Sequence, residues 1–195
     1  MRTPWGYDVE RLDPIIQEIE FHDRTGDAFL ENPRVTSALY AASQAIRNYC
    51  GWHVCPSAEC TAYPEGGGKV LRLPAGYVSR IDSVTEDGAE LTEGQYEWRH
   101  DGLLRRTCFK RWSNRWDGIK VEYEAGYDVE AVPDLAEAAC AIAVGVLSVA
   151  PGVTSESADG VSISYSQSAA SVAAALTFQQ KAALAAYKVV NSNGA

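Results

Sequence analysis

The spacing of apolar positions changes character several times along the chain. Leu12, Ile15, Ile16 and Ile19 recur at helical spacing around Asp13-Pro14. Proline at a first helical position gives up no needed N–H, so a short amphipathic helix is predicted over 14–22. Residues 23–31, around Thr25-Gly26-Asp27, read as a loop. Asn32-Pro33 opens a second helix by the same logic. Val35, Ala38, Leu39, Ala42, Ala45, Ile46 and Tyr49 make its apolar face, and Gly51 stands where a C-terminal cap glycine belongs.

From Trp52 to Tyr127 the period changes to two. Short runs of β-formers are separated by turn signals at Gly66-Gly67-Gly68, Pro74-Ala75-Gly76, Asp87-Gly88, Asp101-Gly102 and Asp117-Gly118. The clearest strand sets Ile119, Val121 and Tyr123 against Lys120, Glu122 and Glu124. Tyr96 and Trp98, followed by Asp101-Gly102 and Leu103-Leu104, read as a hairpin. Pro133-Asp134 then starts a helix that is apolar almost all round (Leu135, Ala139, Ile142, Val146, Val149), which suits a core or a subunit contact.

Residues 151–176 hold seven serines and few large apolar groups. Within them Val161, Ile163 and Tyr165 alternate with serines, a strand without an obvious local partner. Thr177 and Gln180 spell a capping box for a last helix over 177–190 that carries Phe178, Leu184, Tyr187 and Val190. So short a helix is marginal alone and needs something to pack on.

Together these elements predict an α+β fold: a helical core of three to four helices, an inserted antiparallel β unit and an extended C-terminal arm with a short helix. The expected division is 1–51 for the N-terminal helices, 52–127 for the β unit, 128–150 for the central helix that completes the core, and 151–195 for a flexible segment and C-terminal helix, one structural unit overall.

Composition narrows the functional classes. Of 195 residues, 46% are apolar and 22% charged, enough for a core without disulfide staples. The net charge of -9 disfavours a polyanion as principal ligand. One basic cluster, Arg105, Arg106, Lys110, Arg111 and Arg115, is interleaved with Trp112 and Trp116. Single-strand binders use that composition for stacking, but it also describes a solvated strand edge with snorkelling arginines. Five cysteines are an odd count, and MRTPWGYDVE has neither a basic nor an apolar leader region, so free thiols in a reducing cytoplasm are expected. The uncharged run 138–150 is too short to cross a bilayer, and no membrane contact is expected.

Traces of catalysis are sparse. Cys50, His53, Cys55 and Cys60 cluster in sequence but match no common zinc spacing. Gly66-Gly67-Gly68-Lys69 precedes a β run and no helix, so it reads as a hairpin turn and not a phosphate loop. His22, His53 and His100 are dispersed. Asp82, Glu86, Asp87, Glu90 and Glu93 sit at loop positions where acids are simply solvated. Trp98, Trp112 and Trp116 would suit a carbohydrate-binding module, or the core of a small sheet. The expectation is a protein without catalytic residues, cofactor or metal.

The segment PRVTSALYAASQAIRNYCGWHVCP, from Pro33 to Pro56, resembles the helix and following Cys-Gly-Trp-His stretch of the head-to-tail connector family of long-tailed bacteriophages, especially the actinophage type. Leu71-Arg72-Leu73-Pro74, Ile81-Asp82-Ser83-Val84, Tyr96-Glu97-Trp98, Val121 to Tyr127, Val132-Pro133-Asp134-Leu135, Thr154 to Ser157 and Val161 to Tyr165 follow in the family's order. The likeness runs over about 33–190 and leaves the first 30 residues unmatched. It implies a structural virion protein in the neck, assembled in the host cytoplasm, with about twelve copies closing into a ring under the portal protein, as cyclic symmetry allows. The ring would extend a channel through which DNA passes without specific binding, and would offer a platform to the next neck or stopper protein. A stopper or tail terminator is the alternative within phage necks. The C-terminal segment is the implied portal or subunit contact, through Val161, Ile163, Tyr165, Phe178, Leu184, Tyr187 and Val190. The strand at 161–165 would either join a neighbour's sheet or fold into an internal hairpin.

Overall fold

The computed structural model describes residues 1–148, 155–158, 161–164 and 176–189. In chain order its strands are β1 Tyr7–Val9, β2 Ala58–Ala62, β3 Val70–Arg72, β4 Val78–Glu86, β5 Ala89–Glu90, β6 Tyr96–Trp98, β7 Leu103–Arg106, β8 Ile119–Ala125, β9 Ser155–Ala158 and β10 Val161–Ser164. Its helices are α1 Glu18–Thr25, α2 Val35–Cys50, α3 Pro133–Ser148 and α4 Phe178–Leu184. The α+β class is as the sequence implies. The chain divides into two compact units. The first holds Met1–Leu12, Cys50–Asp128 and the described residues from Tyr187 onward; the second holds Asp13–Tyr49 and the described residues between Val129 and Ala186. The β unit thus takes in both an N-terminal strand and a C-terminal segment, which the division at 52–127 leaves out.

In the β unit a five-stranded antiparallel sheet runs in the order β1-β2-β8-β4-β5, and a three-stranded sheet in the order β3-β7-β6. Strand β8 shows why the sequence alternates: Ile119, Val121, Tyr123 and Ala125 are buried while Lys120, Glu122 and Glu124 are partly exposed. It pairs with β2 on one side and β4 on the other. The hairpin read from Tyr96, Trp98 and Leu104 is present, with Trp98 opposite Leu104. The glycines at 66–68 do not make a hairpin, because β2 and β3 belong to different sheets. They are needed for a close backbone approach: a Cβ on Gly66 would lie 1.7 Å from the Ser113 carbonyl oxygen, and Gly67 N–H donates to the Trp112 and Ser113 carbonyls.

A run of rings crosses this unit, buried at Tyr7, Trp52 and His53, half-buried at Tyr77, Tyr127 and Trp98, and exposed at His100. Trp98, His100, Tyr77, Tyr127, Trp52, His53 and Tyr7 follow one another at centroid distances between 4.7 and 6.0 Å. They link the start of the chain, the segment after α2 and the β6–β7 hairpin through one series of ring contacts. The first residues, for which the sequence offers no role, are placed by β1, whose Tyr7, Asp8 and Val9 pair with Ala62, Thr61 and Cys60.

In the helical unit α2 and α3 hold close to their expected limits, and Gly51 takes the positive φ of 79° that a cap glycine supplies. Helix α1 differs from expectation. It begins at Glu18, not at Pro14, and it runs through Thr25 into a 3-10 turn over Gly26–Phe29 where a loop is predicted. The reason lies on α2: the Arg47 guanidinium donates to the Asp13 carbonyl at 2.5 Å, and Ser43 Oγ accepts the Ile15 N–H at 2.8 Å. Arg47 takes the Asp13 carbonyl that a helix from Pro14 would have used and Ser43 anchors Ile15, so Ile15 and Ile16 are buried without being helical and Ile19 is left 74% exposed. Arg24 to Glu137, Thr36 to Glu18 at 2.8 Å, and Arg34 to the Val146 carbonyl at 3.2 Å tie α1, α2 and α3 together.

Candidate assembly surfaces

The segment between β7 and β8, residues 107–118, is the most unusual surface of the β unit. Its base is fixed. Trp112 is buried, its backbone N–H donates to the Gly68 carbonyl at 2.8 Å, and Ser113 N–H and Oγ–H donate to Glu86 and Asp87 at 2.7 and 2.9 Å. Arg106 is buried against it, 5.5 Å from the Trp112 ring centroid, paired to Glu86 at 3.3 Å and donating to the Gln95 carbonyl at 2.8 Å. The tip is the opposite: Phe109 is 90% and Trp116 98% exposed. Left-handed backbone at Cys108, Phe109 and Asp117, with φ of 55, 58 and 52°, turns these residues outward. Lys69, 5.9 Å from the Phe109 ring centroid, joins Glu97, Arg105, Arg106, Thr107, Cys108 and Lys110 around a half-open hollow of about 410 Å³.

The basic cluster is therefore two things at once. Arg106 is no snorkelling surface arginine; it is an interior group held by Glu86 and Trp112. Arg105 pairs with Glu97 at 2.5 Å and Arg115 with Asp87 at 3.6 Å, both in solvent. The three tryptophans make no shared platform: Trp112 is buried, Trp98 packs on His100, and Trp116 alone presents both faces.

The solvent face of the five-stranded sheet carries the opposite sign. Asp8, Glu10, Glu59, Asp82 and Glu122 line a shallow groove of about 360 Å³. Arg80 offsets part of this charge, lying 2.5 Å from Asp82, 3.3 Å from Glu124 and 3.8 Å from Glu59, as does Lys120 at 2.6 Å from Glu122. Hydrogen bonds from Lys120 and Ser83 hold the Glu122 carboxyl below its ordinary range, so it stays charged.

The candidate zinc group does not form. His53 has both ring nitrogens occupied, Nδ1 by the Tyr7 hydroxyl at 2.8 Å and Nε2 by the Ala125 carbonyl at 2.7 Å. Cys50, Cys55 and Cys60 are buried, and burial pushes the Cys50 and Cys60 thiols up to about 12, which disfavours the thiolate a metal would need. Among the described residues no cluster of His, Cys, Asp or Glu has the geometry to hold a metal ion, and no helix is long and apolar enough to cross a membrane.

The residues expected to make the C-terminal contact fall into four groups. Val161 and Ile163 lie on β10, which has a local partner after all: it pairs antiparallel with β9, Val161 opposite Ala158 and Ile163 opposite Glu156. Tyr165 and Val190 lie outside the described residues. Helix α4 has the capping box, Thr177 accepting from Gln180 N–H and Gln180 from Thr177 N–H, and it packs on α3. Leu184 is buried and Tyr49 donates to the Lys181 carbonyl at 2.9 Å, whereas Phe178 is 86% exposed. Tyr187 belongs to the β unit, where its carbonyl accepts the Trp52 indole N–H at 2.7 Å and its ring packs on Tyr127. The expected loose helix thus finds an intramolecular seat, and Phe178 is the member of the set that α4 offers to solvent.

The sheet face and the exposed Trp116 could not be picked from sequence. Nothing in the order of residues distinguishes a buried Trp112 from an exposed Trp116.

Comparison with known proteins matches the fold and the sequence separately. No curated protein matches the chain. Solved structures share its fold from end to end. The neck of a native gene transfer agent particle, computed with C12 symmetry, aligns with a TM-score of 0.66 at 16% identity, covering 97% of this chain and 98% of that one. The neck of an empty gene transfer agent particle, with C6 symmetry, gives 0.62 at 18% identity, and the virion of the native particle 0.63 at 17%, with the same coverage. The family model described as head completion protein matches residues 27–177, more than half of the sequence. The chain belongs to the head completion protein family.

Proposed function

We propose that this chain is a non-enzymatic head-to-tail connector subunit of a phage-like particle. About twelve copies close into a ring beneath the portal protein, as cyclic symmetry permits. The ring lengthens the DNA channel and receives the next neck component. Membership of the head completion family over 27–177 is the observation that carries this reading. The likeness of the whole fold to subunits of a neck with C12 symmetry supports it. The net charge of -9 suits a conduit, because a basic lumen would hold phosphates and stall transit.

The C-terminal segment is the portal contact in this reading, with exposed Phe178 as its first anchor and Val161, Ile163, Tyr165 and Val190 following. Leu184 and Tyr187 take part only if α4 lifts from the seat described above. The test is a phage carrying a deletion of the gene. DNA-filled heads and free tails are expected to accumulate, and normal infectious virions would end the reading. Phe178→Ala is expected to weaken binding of the purified chain to portal at least ten-fold, and unchanged binding would remove the C-terminal contact while leaving the connector reading in place.

A further inference from the structure

We propose that the 107–118 loop docks onto the acidic sheet face of a second copy of this chain. The proposal rests on the ring reading above and adds the interface that reading leaves open. Five of the chain's 17 basic residues fall in 103–116, a stretch without a single acid, in a protein of net charge -9. Arg105, Arg106 and Arg115 are paired with Glu97, Glu86 and Asp87 within the chain, so Lys110 and Arg111 are the charge the loop tip offers, repelling the same tip on another copy and attracting an acidic face.

The loop is built to present its tip. Consecutive left-handed residues at Cys108 and Phe109 are unfavourable for side chains with a Cβ and persist only where the surroundings enforce them. Buried Trp112, the Gly66–Gly67 approach and the Ser113 bonds to Glu86 and Asp87 are those surroundings. The tip therefore holds Phe109 and Trp116 in water together with Lys110 and Arg111, at little ordering cost on binding. Two large exposed rings beside arginine and lysine are the composition of an interface anchor.

The acidic groove crosses the sheet from β1 to β4, and its Asp8–Glu10 end lies at the edge away from the loop base. Asp8 and Glu10 belong to the β1 edge, while Glu86 and Asp87, which hold the loop base, belong to the β4–β5 edge. Four strand spacings separate these edges, about 19 Å. A closed ring needs such a head-to-tail pair, because each subunit must offer a donor patch to one neighbour and an acceptor patch to the other. Phe109 and Trp116 would cover apolar stems on the acidic face while Lys110 and Arg111 meet Asp8, Glu10 and Glu59.

The test uses the full-length chain and three variants. One reverses the loop (Lys110→Glu with Arg111→Glu), one reverses the face (Glu10→Lys with Glu59→Lys), and one removes the rings (Phe109→Ala with Trp116→Ala). All these positions are exposed, and circular dichroism checks that each variant folds. Sedimentation over a concentration series at low salt reads self-association. The wild type is expected to associate, each variant at least ten-fold more weakly, and an equimolar mixture of the two charge-reversed variants to recover wild-type association. Association of the loop-reversed variant equal to wild type overturns this interface. A wild type that stays monomeric throughout overturns it too, and salt-sensitive binding of a DNA oligonucleotide by that monomer would give the loop to nucleic acid instead. Either failure leaves the gene-deletion result standing, so the two readings are separately testable.

Discussion

At the scale of single residues, identity alone is a poor guide to role, and surroundings decide it. Arg106 and Arg105 are neighbours in sequence, yet one is buried between Glu86 and Trp112 and the other pairs with Glu97 in solvent. Removing one partner of a buried pair strands the other charge, so Arg106→Ala is expected to destabilise the fold by about 3 kcal/mol in urea denaturation, and Arg105→Ala by less than about 1 kcal/mol. Equal effects would mean that the Arg106–Glu86 pair is not interior. The cysteines make a second case. Cys108 is exposed while Cys50, Cys55, Cys60 and Cys140 are buried. A thiol reagent is expected to modify Cys108 alone in the native protein and all five after denaturation, read by mass spectrometry. Cys50 and Cys60 also carry a pH signature. Their folded values, about 12, lie above the ordinary 9.0. A thiol with a raised folded pKa contributes stability that is fully present below pH 9 and is lost as pH climbs towards 12. The melting temperature should therefore fall over that window, and Cys60→Ser should flatten the fall.

At the scale of elements, long regular patterns were readable and short or borrowed ones were not. Helices α2 and α3, strand β8 and the β6–β7 hairpin follow from periodicity because each buries a face of its own. Strand β1 has only three residues, and its partner β2 lies some fifty positions away, so no local signal marks it. The start of α1 is set by Arg47 and Ser43 of another helix, which tertiary structure supplies and propensity cannot. The triple glycine is the same lesson in a loop. Its turn-like composition serves a backbone contact with Ser113, and Gly66→Ala would drive a Cβ into that carbonyl. The substitution is expected to cost about 1–3 kcal/mol and to loosen the 107–118 loop, seen as faster amide exchange at Trp112, whose N–H is bonded to Gly68. Slow exchange at Trp112 in the variant would show that the loop does not depend on this approach.

At the scale of the whole chain, the C-terminal residues serve both units and cannot be treated as a detachable arm. In the helical unit α4 packs on α3, buries Leu184 and takes a hydrogen bond from Tyr49. In the β unit Tyr187 accepts the indole N–H of fully buried Trp52, and Val189 N–H donates to the Cys50 carbonyl at 2.9 Å. Deleting 177–195 therefore leaves Trp52 with an unsatisfied buried donor, worth about 1–3 kcal/mol, besides uncovering apolar surface in both units. The truncated chain is expected to melt at lower temperature with a red-shifted tryptophan emission, whereas Phe178→Ala, whose ring is already in water, should leave both unchanged. That contrast decides how a portal-binding defect is read: loss in the truncation alone would follow from damage to the Trp52 pocket, while loss in Phe178→Ala at wild-type stability identifies a contact surface. A truncation as stable as the full chain would mean that the Trp52–Tyr187 bond does not hold the C-terminus down in solution, and that α4 is free to leave its seat for a partner.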